Sequence, residues 1–293
     1  MSTFQEIIQK NEGSQEALLA QLKVAWESTA DDEKSEILHA NGDAAFRWAC
    51  LNGYHEIAEW LRAICSDQER STMLHARDNI AFLSACDKGH LEMAKWLWGL
   101  CKIPEEKTAM LRAKDNGAFR WACAYGHQEI AQWLWSECKT PDEQSVMLHA
   151  KDNYPFMLAC QEGHIEIAKW LWAICPDLEQ STMLHADNDF AFGAACDSDH
   201  QEIAKWVFIL YDNDVDTRLK LFGKAMTIKD GIGYVLWPCL NVIEQVQMLN
   251  RGLLRAILRK AIANNDAKDF NRVLQLVDDC HDDVKRQYND HVY

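Results

Sequence analysis

The sequence predicts an all-α repeat solenoid with helical capping regions. Three observations predict it. Cys50, Cys86, Cys123, Cys160 and Cys196 recur at intervals of 36, 37, 37 and 36 residues. Phe46, Phe82, Phe119, Phe156 and Phe192 keep that period, and so do Trp60, Trp96, Trp133, Trp170 and Trp206, so five near-copies of one unit fill residues 41–211. Within each copy apolar residues return at helical spacing, and 5 prolines with 13 glycines are too few for a strand-rich chain of many turns.

In chain order, residues 1–40 read as a helical N-terminal cap. Asp31 to His39 repeats a segment found between the units, and Trp26 precedes His39 by 13 residues, as Trp172 precedes His185. Residues 15–39 therefore look like half a unit. Gln15, Glu16, Gln21, Lys23 and Glu27 give it the polar outer side that the end of a stack needs.

Asp152 to Cys175 shows one full unit. Phe156, Leu158, Ala159 and Cys160 make the apolar side of a first helix. Gly163-His164 breaks it, as a C-cap glycine does. Ile165, Ile167, Ala168, Leu171 and Trp172 make a second helix, ended by Pro176-Asp177. The stretch DLEQSTMLHA follows, with a cousin in every copy. It reads as a further short helix or turn opened by Asp or Pro-Asp, leading into an extended finger at His-Ala-Lys-Asp-Asn. Helices this short bury little alone, and stacking supplies the missing cover. Ala49, Ala85, Ala122, Ala159 and Ala195 allow close approach, and each rung tryptophan is expected to bury ~200 Å².

Residues 212–293 leave the period. Asp212-Asn213-Asp214 reads as a junction, and Leu253 to Leu276 has the pattern helix, Asn-Asn-Asp turn, helix. That pattern fits a degenerate repeat and a separate helical module equally.

The units resemble ankyrin repeats. Pro155-Phe156 and Ala159 stand where Pro-Leu and Ala are expected, and Gly89-His90, Gly126-His127 and Gly163-His164 match Gly-His. Glu56-Ile57-Ala58, Glu129-Ile130-Ala131, Glu166-Ile167-Ala168 and Glu202-Ile203-Ala204 match the Glu-Ile-Val block. The Thr-Pro-Leu-His tetrapeptide is lost in all copies, Trp replaces a leucine of the second helix, and the period is a few residues longer than usual. This Trp-rich variant is similar to the repeats of giant viruses and of bacteria that live inside amoebae. The resemblance implies protein recognition through a concave face, by an effector that acts on a protein of a eukaryotic host.

Composition narrows the function further. With 45 acidic and 30 basic side chains the formal charge is −15, which disfavours anionic nucleic acid and membrane surfaces as partners. The longest mostly apolar run, Ile232 to Ile243, is too short to cross a bilayer, and Met1 to Lys10 lacks a secretory core, so a cytoplasmic location is expected, the host cytosol for an effector. Nine of the 11 cysteines fall in two ladders, the second being Cys65, Cys101, Cys138 and Cys175. That regularity points to core packing. Structural zinc takes Cys pairs about two to four residues apart, and the chain has none. The His164/Glu166 pair and its copies resemble the zinc-deaminase signature, but the required Pro-Cys-x-x-Cys is missing. No phosphate loop, nucleophile elbow or kinase signature occurs. No cofactor, metal, small-molecule substrate or catalytic residue is predicted. The catalytic alternative is a Cys–His pair in the C-terminal region, drawn from Cys239, Cys280, His281 and His291. Arg251, Arg255, Arg259 and Lys260 fall near one helix face, either solvated or facing an acidic partner.

The positions that vary between copies are the expected readers of a partner. The finger carries Arg77, Lys114 and Lys151 before the Asp-Asn and Ile80, Tyr154 and Phe190 after it. The first helix carries Arg47 and Arg120 and, at its end, Leu51, Lys88, Tyr125 and Glu162. Aromatic residues beside arginine have the composition of interface hot spots. Asp78, Asp115 and Asp152 are expected to hold the finger turn.

Overall fold

The computed structural model describes residues 4–211, 214–226, 232–240, 244, 245, 271 and 275. No β-strand occurs among the described residues. The chain forms two compact units, residues 1–155 and 156–293. The first contains α1 (Phe4–Lys10), α2 (Gln15–Glu27), α3 (Asp31–Leu38), α4 (Ala40–Leu51), α5 (His55–Ala63), α6 (Asp67–Asp87), α7 (Leu91–Leu100), α8 (Pro104–Ala124), α9 (Gln128–Glu137) and α10 (Pro141–Leu148). α11 (Ala150–Gln161) spans the junction. The second continues with α12 (Ile165–Ile174), α13 (Asp177–Leu184), α14 (Ala186–Asp197), α15 (Gln201–Leu210), α16 (Val215–Ala225), α17 (Ile232–Leu236) and a 3-10 turn, Trp237–Cys239.

Each repeat is a short helix, a turn, a first helix and a second helix. Two of the short helices start on capping boxes. Ser66 and Thr140 each accept from the backbone N–H three residues on, while Glu69 and Glu143 reach back to the cap N–H. The Ser66 hydrogen bonds, with His39 alongside, hold the Glu69 carboxyl down to about 2. Its folded value lies below its unfolded one, so this stabilisation is present above the ordinary value of 4.5 and fades as pH falls toward 2. Ser66→Ala is expected to raise the Glu69 value in an NMR titration and to lower stability by about 1 kcal/mol.

The turn differs from the extended finger predicted. Arg77, Asp78 and Asn79 take φ of 50°, 60° and 60°, and Lys114-Asp115-Asn116 and Lys151-Asp152-Asn153 do the same. Three successive left-handed residues reverse the chain tightly instead of projecting it. The richness in Asn and Asp explains how non-glycine residues sustain this.

The innermost rung is phenylalanine. Phe82, Phe119, Phe156 and Phe192 are fully buried and Phe46 nearly so, beside the equally buried Ala49/Cys50 series. The rung tryptophans are half-buried. They sit on the outer flank of the second helix and lean on the previous repeat: Trp133 lies 6.2 Å from Phe82 and 6.0 Å, edge on, from Trp98. In the second unit Trp206 lies 6.2 Å from Phe156 and 6.5 Å from Trp172.

The half-unit expected at 15–39 left α1 without an assignment. Its Phe4, Ile7 and Ile8 are buried, and the Phe4 ring packs 6.3 Å from both Trp26 and Trp60. In the second unit Tyr211 stands where earlier copies have Cys175 or Cys138. It donates its hydroxyl toward Leu184 O (2.9 Å) and Asp189 Oδ1 (3.0 Å). Arg218, in α16, is buried and meets the buried Glu244 carboxylate at 3.2 Å. The helix–turn–helix pattern of Leu253 to Leu276 lies outside the described residues except for Asn271 and Gln275, both helical; Arg251, Arg255, Arg259, Lys260, Cys280, His281 and His291 lie outside them entirely.

Candidate functional site

The surface that varies between repeats rests on a repeated set of backbone clamps. The last residue of each left-handed turn is turned inward. Asn79 and Asn153 are buried and accept from His75 and His149, and buried Asp43 and Asp189 meet His39 and His185. Where the first helix supplies an arginine, that residue locks the turn. Arg120 donates from Nε to Asp115 O (2.8 Å) and from Nη2 to Lys114 O (2.7 Å); Arg47 does the same to Gly42 O and Asn41 O, both at 2.9 Å. Desolvation lowers both guanidinium pKa values.

A second clamp joins neighbouring repeats at Gly-His. His127 Nε2 donates to Asp87 O at 2.8 Å, and His90 Nε2 to Leu51 O at 3.1 Å. Each imidazole lies over the glycine of the preceding repeat. At Gly89, with φ +78°, an added Cβ would sit 2.7 Å from His127 Cε1. The His-x-Glu pairs are therefore joints between repeats. The Cys239 thiol is raised by burial, which disfavours the thiolate that nucleophilic chemistry requires.

The twelve candidate readers divide on this framework. Ten belong to the first unit. Tyr125 is 56% exposed, and the Lys88 ammonium stands 5.8 Å over its ring while pairing with Asp87 at 3.0 Å. Leu51 is exposed at the equivalent helix end. Arg77, Lys114 and Lys151 are exposed at the turn tips, and Ile80 is half-buried. Lys114 bonds Asp78 at 2.6 Å and Lys151 approaches Asp115 at 3.4 Å, so these aspartates bridge neighbouring turns as well as shape their own. Such exposed pairs are weak and exchange readily.

Arg120 departs most from expectation. It is only 6% exposed and faces the half-buried Tyr154 ring at 5.8 Å, so it braces the surface from beneath. Arg47, half-buried on its turn, plays the same part. In the second unit Glu162 is exposed and accepts from Gln161 (2.9 Å), while Phe190 is half-buried. Phe190 lines a cavity of ≈ 480 Å³ with Asp187, Asn188, Asp197 and Lys224. Sequence spacing could not separate brace from reader, because both kinds vary between copies.

A conserved internal core, left-handed turns and a variable exposed edge define a helical-repeat recognition scaffold. The family model described as Ankyrin repeats (3 copies) matches residues 46–144 and 119–219, more than half of the chain. The chain belongs to the ankyrin-repeat family, whose members are in general protein–protein interaction modules and typically non-catalytic. No curated protein matches it. No helix among the described residues is long and apolar enough to cross a membrane.

Proposed function

We propose that the protein is a non-catalytic scaffold that binds a partner protein through its turn tips and the exposed ends of its first helices. The observation that carries this reading is the pairing of an almost unchanged Phe/Ala/Cys core with exposed positions that differ between copies, led by Leu51, Lys88 and Tyr125. Tyr125 joins an exposed aromatic ring to an adjacent cation, the chemistry of an interface anchor. The turn-tip cations Arg77, Lys114 and Lys151 suit an acidic rim on the partner. The resemblance of these Trp-rich repeats to those of bacteria living inside amoebae supports a bacterial effector working in a host cytosol on a host protein.

The test is a pull-down from eukaryotic lysate with the wild type and with Leu51→Asp/Lys88→Glu/Tyr125→Ala. These three side chains leave the turn clamps untouched, so the variant should keep the wild-type helical circular dichroism. A prey retained by the wild type and lost by the variant is expected. Equal retention by both would refute this surface.

A further inference from the structure

We propose that His75, Cys101 and Glu106 form a binding site for a zinc-class divalent cation. Their ligand atoms, imidazole nitrogen, thiol sulfur and carboxylate oxygen, all lie within 4.8 Å of one another. The residues are 26 and 5 apart, so no short-range motif announces them.

Each ligand is held by a group behind it. His75 Nδ1 donates to Asn79 Oδ1 at 2.7 Å, which leaves Nε2 with its lone pair facing the Glu106 carboxylate. Nε2 stands 3.9 Å from Oε1, while Oε2 of the same carboxylate accepts from Lys102 N at 3.1 Å. A histidine oriented through its far nitrogen is the usual arrangement behind a metal ligand. Cys101 is 4% exposed, and the other two side chains are about a third exposed. A tetrahedral ion with bonds of about 2.0–2.3 Å sets its ligands roughly 3.3–3.7 Å apart, so small side-chain rotations close the cluster. His, Cys and carboxylate together favour zinc or cobalt over calcium or magnesium. Three protein ligands leave one position for water.

The other copies in the same unit show why this one is singled out. In the third repeat Arg112 occupies the place of His75, and its charge acts on Cys138 together with Glu143. There a permanently charged arginine replaces the imidazole ligand. In the first copy the groups are already engaged: Cys65 donates to Leu61 O at 3.2 Å, Glu69 closes the Ser66 capping box, and His39 Nδ1 meets the Asp43 carboxylate at 2.5 Å. His75, by contrast, faces the neutral Asn79. A cavity of ≈ 290 Å³ lined by Arg62, Arg70, Leu74, His75, Lys102 and Glu106 leads to it. Arg70 in that wall is paired with Asp67 at 2.9 Å. Loading exchanges the thiol proton of Cys101 for a metal–sulfur bond and releases that proton to water.

The test titrates the reduced, chelator-treated full chain with cobalt chloride, followed by displacement with zinc. A thiolate-to-cobalt charge-transfer band that zinc abolishes is expected. Cys101→Ser should lower bound cobalt by one equivalent, Glu106→Gln should weaken binding about tenfold or more, and Cys138→Ser should change neither. Circular dichroism checks that the variants fold, and Glu106→Gln, at a partly exposed side chain, keeps the test open if Cys101→Ser does not. No cobalt band in the wild type, or equal stoichiometry in Cys101→Ser and Cys138→Ser, would overturn the site.

Discussion

Phe82→Ala is expected to destabilise the protein by about 3–5 kcal/mol, the range for removing a fully buried phenylalanine. Phe82 is 0% exposed and touches aromatic rings of its own repeat and of the next. Trp98 stacks on it at 6.1 Å, and Trp133 meets it edge on at 6.2 Å. Truncation leaves a cavity between two repeats, and rigid helices on either side relax only partly into it. Urea unfolding followed by circular dichroism checks the loss as a drop in midpoint. A lower slope as well would mean that the repeats on either side have begun to unfold separately. Phe82→Leu should lose far less, because most of the volume is kept. Equal losses for Ala and Leu would show that ring stacking dominates over filled space.

Gly89→Ala carries the second large effect, about 2–3 kcal/mol, from two separate sources. Its φ of +78° strains any residue with a side chain, worth about 1–2 kcal/mol. The new Cβ would lie 2.7 Å from the His127 ring, and moving the ring aside breaks the hydrogen bond from Nε2 to Asp87 O, worth about 1 kcal/mol. The two sources are separable. In a His127→Ala background the contact vanishes, and the same Gly89→Ala change should lose only the backbone part. A double-mutant cycle on urea midpoints reads the difference directly, and strict additivity would show that the imidazole plays no part. Gly163, with φ +86° and the His200 ring 2.7 Å from an added Cβ, should behave alike in the second unit.

Much of the architecture was legible because it depends on local chemistry repeated five times. The Phe46 and Cys50 series fall on one side of the first helix at every copy, so burial follows from spacing alone. The cap motif of the short helices is likewise local, readable from Ser66 to Glu69 and from Thr140 to Glu143. The turn was harder. His-Ala-Lys-Asp-Asn allows both an extended and a left-handed path, and the bond from the histidine to the inward-turned Asn or Asp four residues on accompanies the left-handed one. The candidate surface was legible as a set of variable positions, but the contrast between exposed Tyr125 and buried Arg120 needs three dimensions. The cluster of His75, Cys101 and Glu106 escaped a search for closely spaced ligands because its members come from separate helices. A fixed offset of 26 residues from His to Cys, seen again at His39 and Cys65, was the available signal.

The bonds described above between one repeat and the next reach a single step. His90 finds Leu51, His127 finds Asp87, and Lys114 and Lys151 find Asp78 and Asp115. No such bond depends on how many copies precede or follow. A gene segment encoding one 36- or 37-residue copy can therefore be duplicated or deleted with the Gly-His joint to a backbone carbonyl formed again between the new neighbours. Evolution can lengthen or shorten this array in whole steps, and each added copy brings a fresh turn tip and helix end whose side chains are free to diverge.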